Sequence, residues 1–175
     1  MFRSEWAVII GGSMIDTGNV DGRRDVHFSS LDEMLMDAEN LAKAESAGKL
    51  SRVGNWTLGQ ACGHLAVWTN FAYDGYPMKV PFLIKMLIRP MKTRFIKGPI
   101  PAGKNLPGVD GGTFGTEALP TATGLADLKL ATARLKSAPP KDPNPVFGDL
   151  QHDEWIALAL RHAELHLSFF FATPT

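Results

Sequence analysis

The sequence is short of cysteine, net charge and long apolar runs, and each shortage excludes a class of protein. One cysteine among 175 residues can form neither an intramolecular disulfide nor an all-cysteine zinc site. Cys62 is therefore read as a small buried side chain. Eighteen basic and eighteen acidic side chains cancel, which removes the whole-protein electrostatic argument for nucleic acid or an acidic membrane as partner. Neither is expected. No apolar run approaches the roughly 20 residues that a membrane-spanning helix needs. An apolar content of 45% is too high for a disordered segment, and the length suits one domain with its own core.

Residues 6–15, WAVIIGGSMI, are the apolar run nearest the N-terminus, preceded by one arginine and one glutamate. A secretory signal wants a more basic start, a longer apolar stretch and a small-residue cleavage site. The run reads as a short strand or a docked arm, with a degenerate export or anchoring segment as the other reading, and the expected location is cytoplasmic. Gly18, Asp21 and Gly22 interrupt the pattern. The main domain then opens at Arg23 and Arg24, giving an extension over 1–23 and a domain over 24–171.

Helical periodicity dominates from there. Ser30-Leu-Asp-Glu33 has the form of a capping box, and Leu31, Met34, Leu35, Ala38, Leu41 and Ala42 follow at i, i+3, i+4 spacing to about Gly48. A second box, Thr57-Leu-Gly-Gln60, predicts a helix from Thr57 to about Tyr73 with His64 beside its apolar stripe. Residues 80–97 are apolar and basic together, and Pro90 should split them into two short pieces. Residues 98–122 read as a long loop of the kind that forms lids or site walls. A further helix is expected from roughly Gly124 to Lys136, and a last one from His152 or Asp153 to about Phe170. The latter's periodic face is Trp155, Leu158 with Ala159, His162, Leu165 with His166, and Phe169. Strands are nearly absent, so the expected architecture is an all-α helical bundle.

Histidine is the residue type with chemistry to offer. His162-Ala-Glu-Leu-His166 sets two imidazoles one turn apart on one helix face, where both can reach a single metal ion. The pair alone fits a core-edge pair as well as a metal site until a third ligand is named. Glu164 lies about 200° around the helix from either histidine and should face away. Ala163 occupies the position where a zincin protease carries its glutamate. Of the remaining histidines, His27 and His152 are more simply solvent-facing, and His64 alone sits at a core edge within a helix.

The weaker constellations take plainer readings. Lys85, Arg89 and Lys92 share a helical face that could attract an anionic substrate or a membrane surface, with a solvated face as the default. The whole of 75–109 holds seven basic residues and no acidic one. The glycines of Gly108-Val-Asp-Gly-Gly112 follow no strand and bring no phosphate-loop lysine, so no nucleotide site is read. Trp56, Trp68 and Trp155 are most simply core anchors at helix starts and packing faces, with a pocket wall as the other reading.

Ser30-Leu-Asp-Glu33, Asn55-Trp56-Thr57-Leu58-Gly59-Gln60 followed by His64-Leu65, Glu154-Trp155, and His162 to His166 with Leu167 form a series that resembles the DinB-like (DinB/YfiT) superfamily. Within it, the chain resembles a bacterial branch classed as a domain of unknown function. The likeness covers roughly residues 24–171. It implies a four-helix bundle, here with an extra broken helix and a long loop, in which His64, His162 and His166 bind a divalent metal. It also implies a homodimer. Relatives with known activity include thiol S-transferases and a thiol-dependent isomerase using low-molecular-weight thiols. Gln151, where a serine or threonine cap is usual, and the N-terminal extension depart from the pattern.

Three imidazoles leave coordination positions for water or substrate, as in catalytic zinc-type sites, and nitrogen donors favour zinc or nickel over magnesium or calcium. The expected function is a metal-dependent enzyme, transferase or hydrolase, in which activated water or thiol attacks a small-molecule substrate. No general base is evident. The alternative is a non-catalytic dimeric bundle whose histidines are structural.

Overall fold

The computed structural model describes residues 15–105, 109 and 112–173. Of the apolar run at 6–15, only Ile15 falls among the described residues; its backbone N–H and C=O both hydrogen-bond the Asn55 side-chain amide, each at 2.9 Å. Four long helices form the bundle: α1 (Leu31–Ser46), α2 (Leu58–Asp74), α5 (Thr121–Ser137) and α6 (His152–Leu167). Two short helices, α3 (Phe82–Ile88) and α4 (Lys92–Lys97), lie between α2 and α5. A 3-10 turn at Arg89–Met91 joins them. Pro90 is the cause of the break, since it lacks the N–H that a continuous helix would use.

Local signals account for most helix starts. At α2, Thr57 Oγ1 accepts from the Gln60 N–H at 3.2 Å, and Gln60 Oε1 accepts from the Thr57 N–H at 2.9 Å, which completes the box. At α1 only half of the expected box forms. Ser30 Oγ accepts from the Glu33 N–H, but the Glu33 carboxylate reaches one residue further back to the Ser29 N–H and hydroxyl. At α6 the Glu154 carboxylate accepts from the Gln151 N–H at 2.9 Å, so the glutamate arm works without a serine or threonine cap. Lys92 pairs with the same carboxylate at 2.7 Å and ties α4 to α6.

Two boundaries differ from the sequence expectation. α5 begins at Thr121 rather than at Gly124. Gly124 is interior to α5 because a Cβ there would sit well inside van der Waals contact of the Gly59 carbonyl oxygen in α2. Both glycines let the two backbones approach, and α2 with α5 is the most extensive helix pairing in the fold. α6 stops at Leu167 rather than near Phe170, because the chain then forms strand β2 (Phe170–Ala172) antiparallel to β1 (Leu50–Arg52). Three-residue strands carry too little alternation to be seen in a sequence.

The core lies among the four long helices, with Ala38 and Leu41 of α1, Leu58 and Cys62 of α2, Leu128 of α5 and Leu167 of α6 buried in it. Burial and the nearby Glu45 push the Cys62 thiol up to about 12, so it stays protonated and inert. α6 buries three sides. Leu160, Ala163 and Leu167 enter the core, whereas Leu158, Ala159, His162 and His166 of the predicted face line a cavity. On the third side Arg161 donates to the Phe28 carbonyl and to the Glu164 carboxylate, which in turn accepts from the Phe28 N–H at 2.7 Å. This fastens residues 23–28 to α6.

Replacing Gly124 with Ala tests the α2–α5 approach. In an exposed helix the change would stabilise by up to about 1 kcal/mol. Here overpacking against Gly59 should destabilise by roughly 1–3 kcal/mol, read as a lower chemical-denaturation midpoint. A raised midpoint would contradict the close approach.

Candidate metal centre

His64 lies in the second turn of α2, and His162 and His166 lie one turn apart in α6. The loop before α5 fixes the first of them. Gln60 Nε2 donates to the Thr116 carbonyl at 3.0 Å, and the Phe114 carbonyl lies 2.7 Å from His64 Nδ1. A carbonyl can only accept, so Nδ1 carries the proton and Nε2 presents its lone pair. Gly115 makes the approach possible: it adopts φ +70, and a Cβ there would lie 2.9 Å from Val67 Cβ.

The last turn of α6 is held from the other side. Arg23 Nη2 donates to the Leu165 carbonyl at 3.2 Å and to Ser168 Oγ at 2.8 Å, and its guanidinium lies 4.4 Å over the Phe169 ring. Arg24 donates to the Leu167 carbonyl at 3.1 Å while its other contacts are bidentate to Asp37, at 2.8 and 2.7 Å. Cations on the terminal carbonyls cap the helix. They also set the turn that bears His166.

The three histidines converge. His162 Nε2 is 3.1 Å from His64 Nε2 and 3.1 Å from His166 Nε2, and one donor atom from each ring lies within 4.8 Å of the others. Metal–nitrogen bonds of about 2.0–2.1 Å would set tetrahedral neighbours about 3.3 Å apart, within a few tenths of an ångström of the two short separations. Protons alone do not satisfy the cluster. His64 Nε2 has no proton, and His162 Nε2 has at most one when neutral. At most one of the two contacts is then a linear hydrogen bond, and the other leaves a nitrogen lone pair facing a group that cannot satisfy it. A cation at their centre accepts all three lone pairs, so the residues fit a bound divalent metal.

The surroundings keep the rings neutral. Burial pushes His64 down to about 4, opposed in part by its bond to Phe114. His162 and His166 are held well below the ordinary range, first by burial and then by the neighbouring imidazoles, with Arg23 adding to the effect on His166. Neutral imidazole is the form that ligates. Trp56 stacks on His166 with centroids 5.0 Å apart and planes 8° from parallel. Trp68 lies 5.9 Å from both His64 and His162. Trp56 and Trp68 thus wall the histidines, Trp56 while also packing against the core, and Trp155 is buried in the core as expected. The Trp68 Nε1–H is buried with no hydrogen-bond partner among the described residues.

The cluster opens onto a cavity of about 870 Å³, walled on one side by the bundle and on the other by parts of residues 76–105. Tyr76, Val80, Ile88, Phe95 and Phe147 make it largely apolar. Ile100–Asn105 with Gly112 and Thr113 supply the wall expected of the 98–122 loop. Burial pushes the Tyr76 hydroxyl up to about 12, so it remains a donor. Asp16 is the sole carboxylate among the described lining residues, and Gly18 N–H and Asn19 Nδ2 occupy its oxygens at 3.0 and 2.7 Å.

The other expectations divide. Glu164 faces the Phe28 and Arg161 side, away from the cluster. His27 is exposed, 3.3 Å from the Glu164 carboxylate. His152 is half-buried rather than solvent-facing, with Nε2 2.6 Å from the Leu135 carbonyl. The Phe114 carbonyl was not legible, since a backbone oxygen leaves no mark in residue identity.

A family model described as a protein of unknown function (DUF1569) matches residues 20–173. No curated protein and no solved structure matches the chain.

Lowered histidine pKa values have a definite sign. Unfolded histidine titrates near 6.5, so between 6.5 and the folded values the unfolded chain binds more protons and stability falls as pH falls. The metal-stripped protein should lose denaturation free energy from pH 7 to 5, and His162→Gln should lose less over that interval. Equal losses would contradict the buried neutral cluster.

Proposed function

The chain belongs to the DUF1569 family, and we propose that it is a divalent-metal-dependent enzyme that activates water or a low-molecular-weight thiol for transfer or hydrolysis on a small substrate. The observation that carries this reading is the convergence of three neutral imidazoles on the wall of an open, largely apolar cavity. A purely structural site closes its fourth position with another protein ligand. Among the described residues the candidate donors are three histidines, and all three line the cavity. The order of the histidines and the Trp56-led start of α2 support placing the family with the DinB-like superfamily.

His64, His162 and His166 would hold the ion, zinc or nickel by their nitrogen chemistry. When bound, it would supply a Lewis acid that lowers the pKa of water or thiol at the remaining position. The chain's own residues do the rest. The Phe114 carbonyl holds His64 in the tautomer that ligates through Nε2. Trp56 and Trp68 exclude bulk water from the rings. The Tyr76 hydroxyl is a donor available to a substrate's polar end, and the apolar walls would take its body. Asp16 is the one carboxylate among the described lining residues, so a bound ion would itself have to favour the ionised form of the nucleophile wherever Asp16 does not reach it.

Purified without chelator, the protein should carry about one divalent ion per chain, and His162→Ala should lose it by elemental analysis. Occupancy a hundredfold above Kd adds about 2.7 kcal/mol, so chelation should lower the thermal midpoint by several degrees. With Co(II) as the ion, adding a low-molecular-weight thiol should produce a sulfur-to-metal charge-transfer band if the fourth position is open to thiols. Equal metal content in wild type and His162→Ala would overturn the site, and a spectrum indifferent to thiols and to anions would overturn the open position.

A further inference from the structure

The outer face of α3 has no place in the candidate metal site and, among the described residues, no covering element. Phe82 and Leu83 are 76% and 66% exposed, and Met86 and Leu87 are 54% and 69% exposed. At 100° per residue these four occupy one arc about 140° wide, and the exposed Pro90 continues it. Ile84 and Ile88 point the other way and are half-buried. Lys85 and Arg89 border the arc. Lys79, Arg94, Lys97 and Lys104 are exposed in the same stretch, and residues 75–109 hold seven basic side chains without an acidic one.

We propose that this face docks on an anionic phospholipid surface, with Phe82, Leu83, Met86 and Leu87 entering the headgroup boundary and the basic residues meeting the phosphates. Charge selects this occupant over a second copy of the chain, because a two-fold contact through α3 would set one all-basic segment against another. Size argues the same way. A stable protein interface buries about 800 Å² on each partner, more than a seven-residue helix presents, whereas a bilayer needs no matching shape. No helix among the described residues is long and apolar enough to cross a membrane, so the association is interfacial. The sequence expectation of no membrane partner rested on the neutral total, which hides the local excess. Ile88, on the inner side of the same helix, lines the cavity, so docking would set one cavity wall against the bilayer. The proposal stands independently of the metal.

Co-sedimentation with vesicles tests it. The full-length protein should pellet with vesicles of phosphatidylcholine mixed with phosphatidylglycerol, less so at high salt, and should stay in solution with phosphatidylcholine alone. The Leu83→Ser/Leu87→Ser and Lys79→Glu/Lys85→Glu pairs should each weaken partitioning by about tenfold or more, with circular dichroism and metal content unchanged. Failure to pellet with anionic vesicles, or equal partitioning of the leucine pair and wild type, would overturn the proposal. So would a vesicle-free dimer that the leucine pair abolishes, which would assign the face to a second copy.

Discussion

Three imidazole nitrogens in contact within an apolar surround impose the constraint on which the rest of the structure turns. Their lone pairs cannot be shared out among the available protons, because the Phe114 carbonyl has already fixed the proton of His64 on its far nitrogen. Protonating the rings is no remedy, since burial holds all three well below the ordinary histidine range. A divalent cation held by the three nitrogens would resolve both difficulties, and the bundle brings the three rings together.

That arrangement draws on distant parts of the chain. Gly59 and Gly124 let α2 lie close against α5, and the loop before α5 then reaches His64 through Phe114 and Gln60 through Thr116. Arg23 and Arg24 close the carbonyl end of α6 beneath His166, while Arg161 and Glu164 clamp the same entry segment a turn earlier. The two tryptophans dry the rings without filling the cavity beside them. The three histidines are therefore held from behind by backbone carbonyls and arginines, and the side toward the cavity is left open.

The four long helices were legible because each carries periodicity over about three turns or more, and the three clustered histidines because the family resemblance joins a pair on one helix face to a third at the edge of another. The misreadings have physical causes. Glycine in α5 looked like a boundary, but Gly124 is there for a backbone contact with a segment some sixty residues away. Phe169 and Phe170 looked like a continuation of α6, but their partners, Val53 and Arg52, lie far back in the chain. Trp68 fits a core stripe by spacing and Trp56 a helix-start anchor, and only their positions around the histidines show that they wall a cavity. The exposure of α3 was invisible for a related reason: periodicity tells which residues share a face, and the fold decides whether that face is covered.

X-ray absorption at the edge of the bound metal tests the central claim most directly, because it counts imidazole ligands without presupposing a reaction. The account predicts three imidazole nitrogens at about 2.0–2.1 Å with at least one further position held by water or another exchangeable light-atom ligand. An all-oxygen set, or fewer than three imidazoles, would contradict it.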